Sequence, residues 1–193
     1  MQKAIKRIFD IVFALLVIVV LSPVWLILAL LIGLTSPGGV FFRQRRTGYK
    51  GREFDLLKFR SMYVNNEADT RQASGNDPRI TPIGRFLRRS SLDELPQMWN
   101  VLCGDMSVIG PRPHMISHTE YYAPQIKDYM RRHDMRPGLT GYAQVKGFRG
   151  PTPTVQDMAN RVSADLEYID KYSLWLDLKI FTLTIWKMLT LKL

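Results

Sequence analysis

From Ile11 to Leu34 every position is apolar except Ser22, and Pro23 and Gly33 are the only helix breakers. At about 1.5 Å per residue, a straight helix of this length would cross a hydrocarbon core of about 30 Å. Two features of the pattern point to another geometry. Pro23, in mid-run, cannot donate to the Val19 carbonyl, and its ring pushes that carbonyl aside, so a kink is expected. The hydroxyl of Ser22 can satisfy the carbonyl so freed. Both flanks are also basic: Lys3, Lys6 and Arg7 precede the run, and Arg43, Arg45, Arg46, Lys50 and Arg52 follow it. Positive residues stay cytoplasmic. The residues therefore leave two readings open, a single span and a hairpin that enters the cytoplasmic leaflet, turns at Ser22–Pro23 and returns.

Beyond this segment the pattern is mixed and water-facing. Val40–Phe42 and Phe54–Leu57 read as short strands around a turn at Tyr49–Gly51. The polar stretch 63–80 reads as a loop. Helices are expected over Ile83–Arg89, from near Ser91 to about Leu102, over His118–Arg132 and over 155–172. Turns dominate 104–113, and 136–153 is mostly loop. After Asp177 the chain is apolar with Lys179, Lys187 and Lys192 as its only charges, the pattern of a helix lying in a membrane interface or, alternatively, of a core helix of the soluble part. The fold class expected is α+β, mostly helical. Residues 1–36 are the membrane segment, and residues 37–193 are a small cytosolic domain ending in an interface helix.

Composition narrows the function. Lys and Arg total 27 against 17 Asp and Glu, a net charge of +10, so the partner is anionic: phosphate, nucleic acid or an acidic membrane surface. A single cysteine, Cys103, excludes a disulfide framework and a cysteine-based zinc site, and it reads as a small buried residue. His114 and His118 could share a helix face, but they read as ordinary surface histidines.

The chemistry points to Arg88–Pro96. Ser91 and Glu94 fit a capping box. Pro96 instead favours Asp93 as the cap, with the proline in the first turn. Either register puts two carboxylates at the positive end of a helix, just after Arg88 and Arg89, which favours their ionised forms. An ionised aspartate there can attack phosphorus or ligate magnesium. In Gly110–Pro113, two prolines stiffen the backbone around Arg112, which suits either a pre-aimed phosphate ligand or a rigid turn with a solvated arginine. In Arg136–Val145, Gly138, Thr140 and Gln144 allow close approach and polar contacts to a nucleotide. This segment has neither the Walker A nor the G-x-G-x-x-G spacing, so neither ATP nor NAD follows.

Six segments in order resemble the bacterial sugar transferase family, the monotopic phosphoglycosyl transferases. They are Phe42–Gly48, Lys58–Met62, Ser91–Gln97, Gly104–Ser107, Gly110–Pro113 and Arg136–Gly141. The resemblance covers nearly the whole chain, including the apolar run with its Ser-Pro break. It implies transfer of a sugar 1-phosphate from a UDP-sugar to undecaprenyl phosphate, with release of UMP, the first step of surface polysaccharide, O-antigen or glycan synthesis. It implies Asp93 as the nucleophile that forms a phosphosugar-aspartyl intermediate, and a requirement for magnesium. Glu94 would place the metal or the reactants, so Asp93 and Glu94 are the metal candidates. Arg112 and Arg88 would bind phosphate, and Arg136, Gly138, Thr140 and Gln144 the nucleotide sugar. It also implies the re-entrant hairpin turning at Ser22 and Pro23, in the bacterial inner membrane with the active site on the cytoplasmic face; a homodimer is compatible with it. Val145–Gly150 and Asp165–Ile169 resemble members that transfer glucose or galactose 1-phosphate, although Phe148 stands where many of those carry Trp and Lys146 where they carry Asn. The rival reading is a membrane-tethered basic module that binds nucleic acid or anionic lipid without catalysis. Such a module has no need of adjacent carboxylates among arginines, and the transferase reading expects no nucleic acid partner.

Overall fold

A computed structural model describes residues 1–65 and 77–190. Much of the expected polar loop (66–76) and the last three residues lie outside the described residues. The apolar run forms two helices, α1 (Gln2–Val20) and α2 (Ser22–Thr35), bent by 62° at Leu21. The cause of the break is local. Pro23 opens α2, and Ser22 Oγ donates to the Val19 carbonyl at 2.8 Å, the acceptor that the proline leaves without its donor. Among the described residues no single helix is long and apolar enough to cross a membrane; the bent pair together has that length and composition. Ile8, Val12, Leu16 and Val19 form an exposed apolar stripe on α1, and Leu26, Leu30 and Leu34 continue it on α2.

The inner face of α1 buries polar groups in its first half, Lys6 and Asp10, before it turns apolar at Ala14. Lys6 Nζ lies 2.7 Å from Asp177 Oδ2, and Asp10 Oδ1 accepts from Ser107 Oγ and from the Val108 amide. Arg7 donates to the Val101 and Leu102 carbonyls in the last turn of α4 (Gln97–Cys103), where the helix leaves carbonyls without a full set of donors. Lys6 and Arg7, which the sequence presents as flanking charges, are therefore committed to the protein interior. They do not testify to membrane topology.

A three-stranded antiparallel sheet has the order β2-β1-β4, with β1 at Phe41–Thr47, β2 at Glu53–Phe59 and β4 at His114–Met115. β1 and β2 pair from Phe41↔Phe59 to Thr47↔Glu53 around a turn that puts Lys50 in the left-handed region at φ 56°. Both strands run further than their apolar residues suggest, because β1 continues through Arg43–Arg46 with alternate side chains in solvent. β3 (Ser107–Ile109) and β5 (Gly138–Thr140) form a short parallel pair, in segments expected to be turns and loop. The other helices are α3 (Pro82–Ser90), α5 (Ile116–Tyr122), α6 (Tyr142–Val145), α7 (Val155–Asp170) and α8 (Leu174–Leu189). The helix expected over His118–Arg132 ends at Tyr122 and gives way to a tight 3-10 segment at Tyr129–Asp134.

One core cluster joins Ala14, Leu56, Val101, Met106, Tyr168 and Ile180, locking α1 to β2, α4, α7 and α8. A second joins Leu28 and Ile32 of α2 to Phe59 and Leu87. The tail helix is thus half core: Ile180 and Asp177 face in, while Trp175, Trp186 and Leu189 are exposed. Cys103, expected inside, is exposed at the end of α4.

Candidate active site

α3 starts as its sequence dictates. Thr81 Oγ1 accepts from the Gly84 amide at 2.9 Å, and Pro82 occupies the first turn. It ends at Ser91, whose φ of 57° turns the chain into a 3-10 turn, Leu92–Glu94, ahead of α4. No continuous helix runs from Ser91 to Leu102, and neither Ser91 nor Asp93 caps one. Pro96 lacks an amide proton, so α4 begins only at Gln97. Leu92 and Leu95 pack against the cluster under α2 and fix how the turn faces. Ser91 Oγ accepts from Arg149 at 3.0 Å instead.

The turn presents its two carboxylates to a cavity of about 500 Å³. Glu94 is fully engaged. Its Oε1 takes Lys58 Nζ at 2.9 Å and Arg112 Nη2 at 2.5 Å, and its Oε2 faces Arg112 Nη1 at 3.4 Å. Burial pushes this carboxyl up, but the charges and hydrogen bonds of Arg112 and Lys58 outweigh it and hold the group well below the usual carboxylate range. Asp93 lies beside it with 7% of its surface exposed, and among the described residues nothing hydrogen-bonds or ion-pairs with its carboxylate. Burial pushes the Asp93 carboxyl up, against the charges of Lys58, Arg88 and Arg112, and Glu94 adds to the rise. The expectation of two ionised carboxylates at a helix end thus holds for Glu94 by a different cause. For Asp93 the environment raises the pKa. The adjacent pair is split into a clamped anion and an unpartnered one.

The wall is strongly cationic. Arg46, Lys58, Arg60, Arg79, Arg88, Arg112, Arg149 and Arg161 all line the cavity, against Asp93 and Glu94. A concave site with this balance favours an anion carrying several charges. Arg112 is held from behind: Arg132 donates to its carbonyl at 2.7 Å and makes a buried ion pair with Asp165 at 2.6 Å. Arg149 arrives on the loop after α6. Arg161 of α7 fixes this loop by donating to the Phe148 carbonyl at 2.9 Å and to the Gly150 carbonyl. Burial lowers the pKa of Arg149 and pushes that of Arg161 down to about 10, so both remain cations at neutral pH.

The structure brings Arg88, Asp93, Glu94 and Arg112 together, and it does not bring Arg136, Gly138, Thr140 or Gln144 to this cavity. Arg136 donates to the Gly104 carbonyl and lies over the Tyr49 ring. Thr140 bonds Thr184 of α8, and Gln144 donates to the Leu139 carbonyl. Gly138 is glycine for packing: a Cβ there would overlap the Gly110 amide and the Thr140 carbonyl. These glycines let β5 approach β3 and the Arg112 turn. Sequence reasoning assigned no role to Lys58, Arg149 or Arg161. Lys58 had a signal, since it alternates with apolar residues on a strand. Arg149 lies in the Val145–Gly150 segment of the family resemblance, which gave it no role, and Arg161 had no signal, because its partners are set by tertiary packing. His114 is no surface residue: it is 3% exposed at the cavity wall, with Nδ1 2.7 Å from the Tyr129 hydroxyl. Burial and the nearby Arg132 and Arg161 hold its pKa well below the usual range.

The donor set limits how a metal could bind. Among the described residues no three His, Cys, Asp or Glu side chains converge, and both Glu94 oxygens face cations. Asp93 offers one free carboxylate. That fits magnesium in its usual mode, held by one carboxylate, water and substrate phosphate oxygens, and leaves Glu94 outside the ligand set in this arrangement.

Comparison with known proteins identifies the family. The family model for bacterial sugar transferases matches residues 1–191. A UDP-glucose:undecaprenyl-phosphate glucose-1-phosphate transferase from Escherichia coli K12 is 51% identical over 187 residues, covering 96% of this chain and 40% of that protein. Proteins of the same name from Xanthomonas campestris and Caulobacter vibrioides are 52% and 49% identical, covering 93% and 96% of this chain and 37% and 70% of theirs. The chain spans about two fifths of the length of the first two.

Proposed function

The chain belongs to the bacterial sugar transferase family, and from that premise we propose that it transfers glucose 1-phosphate from UDP-glucose to undecaprenyl phosphate through an Asp93 phosphosugar intermediate. The observation that carries this reading is the unpartnered Asp93 carboxylate, buried among cations beside a neighbour that is already clamped. An Asp93 oxygen attacks the sugar-bearing phosphorus, and the bond from that phosphorus to the bridging oxygen breaks. UMP leaves with that oxygen. A phosphate oxygen of the acceptor then attacks the same phosphorus, forming the lipid diphosphate and regenerating the carboxylate. A raised carboxyl pKa and the lack of hydrogen bonds keep the Asp93 oxygens reactive, and Arg88, Arg112 and Arg149 offset the charge that builds on the phosphoryl oxygens. Glu94 orients Lys58 and Arg112. Magnesium, held by the diphosphate and Asp93, would supply further charge neutralisation. Glucose is favoured by the names of the relatives above. The exposed apolar faces of α1 and α2, with their break at Ser22–Pro23, support a re-entrant hairpin in the cytoplasmic leaflet of the inner membrane.

Mixing the protein with UDP-glucose and magnesium, without lipid, tests the chemistry. Release of UMP and a hexose-phosphate mass increment on Asp93 are expected. An Asp93→Asn variant that still transfers sugar would refute the assignment. The hairpin is tested by labelling single cysteines at Gln2 and Val40 in a Cys103→Ser background. Both should react from the cytoplasmic side only.

A further inference from the structure

On the cavity side of β1 the chemistry is graded along the strand. Phe42, Gln44 and Arg46 share that side, because alternate strand residues point the same way, and all three line the cavity. At about 3.3 Å per residue, Phe42 and Arg46 lie ~13 Å apart. Beyond Arg46 the wall is completed by His118 and Arg161; beyond Phe42 it is completed by Phe41, Phe59 and Val64 together with Arg60, which donates to the Ser36 and Pro37 carbonyls, and Arg79, which pairs with Asp77. The catalytic turn lies between these ends. Glu94 holds Lys58, which sits opposite Phe42 in the sheet register, and Arg112, which leads through Pro113 to His114.

The apolar end is continuous with the bent helix pair. Phe41 stacks on Phe59 at 5.5 Å between centroids, and Phe59 meets Trp25 of α2 edge-on at 5.6 Å. Phe41 is 47% exposed and Val64 75% exposed, so this lip shows hydrocarbon surface within reach of a cation. A ligand that matches both has an apolar chain ending in a phosphate. Among the described residues the other end, around Arg46, His118 and Arg161, offers such a chain no stack of Phe or Trp rings to lie against. A nucleotide, polar and anionic, suits that end instead.

We propose that the Phe41–Phe42 end of the cavity seats the first isoprenoid units of the acceptor lipid, with its phosphate at Lys58, and that the donor nucleotide occupies the Arg46–His118 end. This rests on the transferase reading above. Lys58 has three N–H donors and gives one to Glu94, so it keeps donors for a phosphate. The two substrates approach Asp93 from opposite ends. The product of the first half-reaction therefore leaves by one side while the acceptor enters by the other.

The half-reactions can be read separately. Phe41→Gln and Val64→Gln change exposed residues and should fold. Both variants, alone and combined, should form the Asp93 adduct from UDP-glucose and magnesium at the wild-type rate. Transfer of that adduct should need about tenfold more undecaprenyl phosphate. A phosphate carrying only three isoprene units should show the same loss, because the lip contacts only the first units. His118→Ala should do the reverse, weakening the donor half-reaction alone. Wild-type acceptor dependence in the double variant would overturn the assignment. Loss of adduct formation in that variant would also overturn it, by placing the donor sugar on these rings. A wild-type protein that forms no adduct and transfers nothing would refute the transferase reading itself, and the acceptor seat with it.

Discussion

Glu94→Gln removes one negative charge from between two cations while keeping the side chain's shape. Lys58 and Arg112 lie 2.9 and 2.5 Å from the same oxygen, with side-chain exposures of 18% and 24%. Removing one partner of a fully buried pair costs about 3–5 kcal/mol. Some contact with cavity water discounts this to roughly 2–3 kcal/mol. For a chain of this size each kcal/mol moves the unfolding midpoint by about 2–4 °C, so a drop of roughly 4–12 °C follows. Thermal unfolding of the detergent-solubilised protein reads it directly. Two further signatures separate a lost clamp from general damage. The freed cations will recruit inorganic phosphate, and a ligand at a hundred times its Kd restores about 2.7 kcal/mol. Phosphate should therefore recover most of the variant's loss and do less for the wild type. The pH dependence has a definite sign as well. A carboxyl held below its unfolded value contributes stability that is complete above about pH 4.5 and lost as pH falls through the folded value. The two proteins should converge at strongly acid pH. A variant that melts with the wild type and responds no more strongly to phosphate would show that Glu94 does not hold these cations together.

Other consequences follow from the same geometry. The carboxyl of Asp93 is raised by burial, so its contribution is present below the unfolded pKa and lost as pH rises through the folded value; at pH 7, Asp93→Asn should melt no lower than the wild type, and about 1 kcal/mol of added stability is expected alongside lost turnover. His114 and His133 are held neutral by burial, His133 with a pKa lowered to about 4. Their stabilising share is complete above about pH 6.5 and lost as pH falls through the folded values, so melting temperature should decline from pH 6.5 to 4, and His133→Phe should flatten that decline. Gly138→Ala forces a methyl group into the Gly110 backbone, which cannot yield; a loss of about 3 kcal/mol is expected in a melt, and an unaffected midpoint would contradict this packing.

What could be read from the chain was what its neighbours along the chain decide. Pro23 breaks a helix because it lacks an amide proton, and Ser22 repairs the break with a carbonyl three residues away. Thr81 and Pro82 start α3 for similarly local reasons. The ordered motifs identified the family, and with it the neighbourhood of Arg88, Asp93, Glu94 and Arg112. Tertiary structure decided everything whose partner is distant. The Ser91–Glu94 spacing would serve a capping box in an isolated peptide. In the folded chain Glu94 instead meets Lys58 from 36 positions away and Arg112 from 18, and two cations outweigh one backbone amide. Lys6 and Arg7 look like topology charges until Asp177 and the end of α4 come within reach. The glycines of 136–145 look like a nucleotide loop until β5 closes on Gly110. Local conformation follows from steric and hydrogen-bonding rules spanning a few residues. Which charge meets which, and which carboxylate stays free, depends on contacts that exist only once the whole chain has packed.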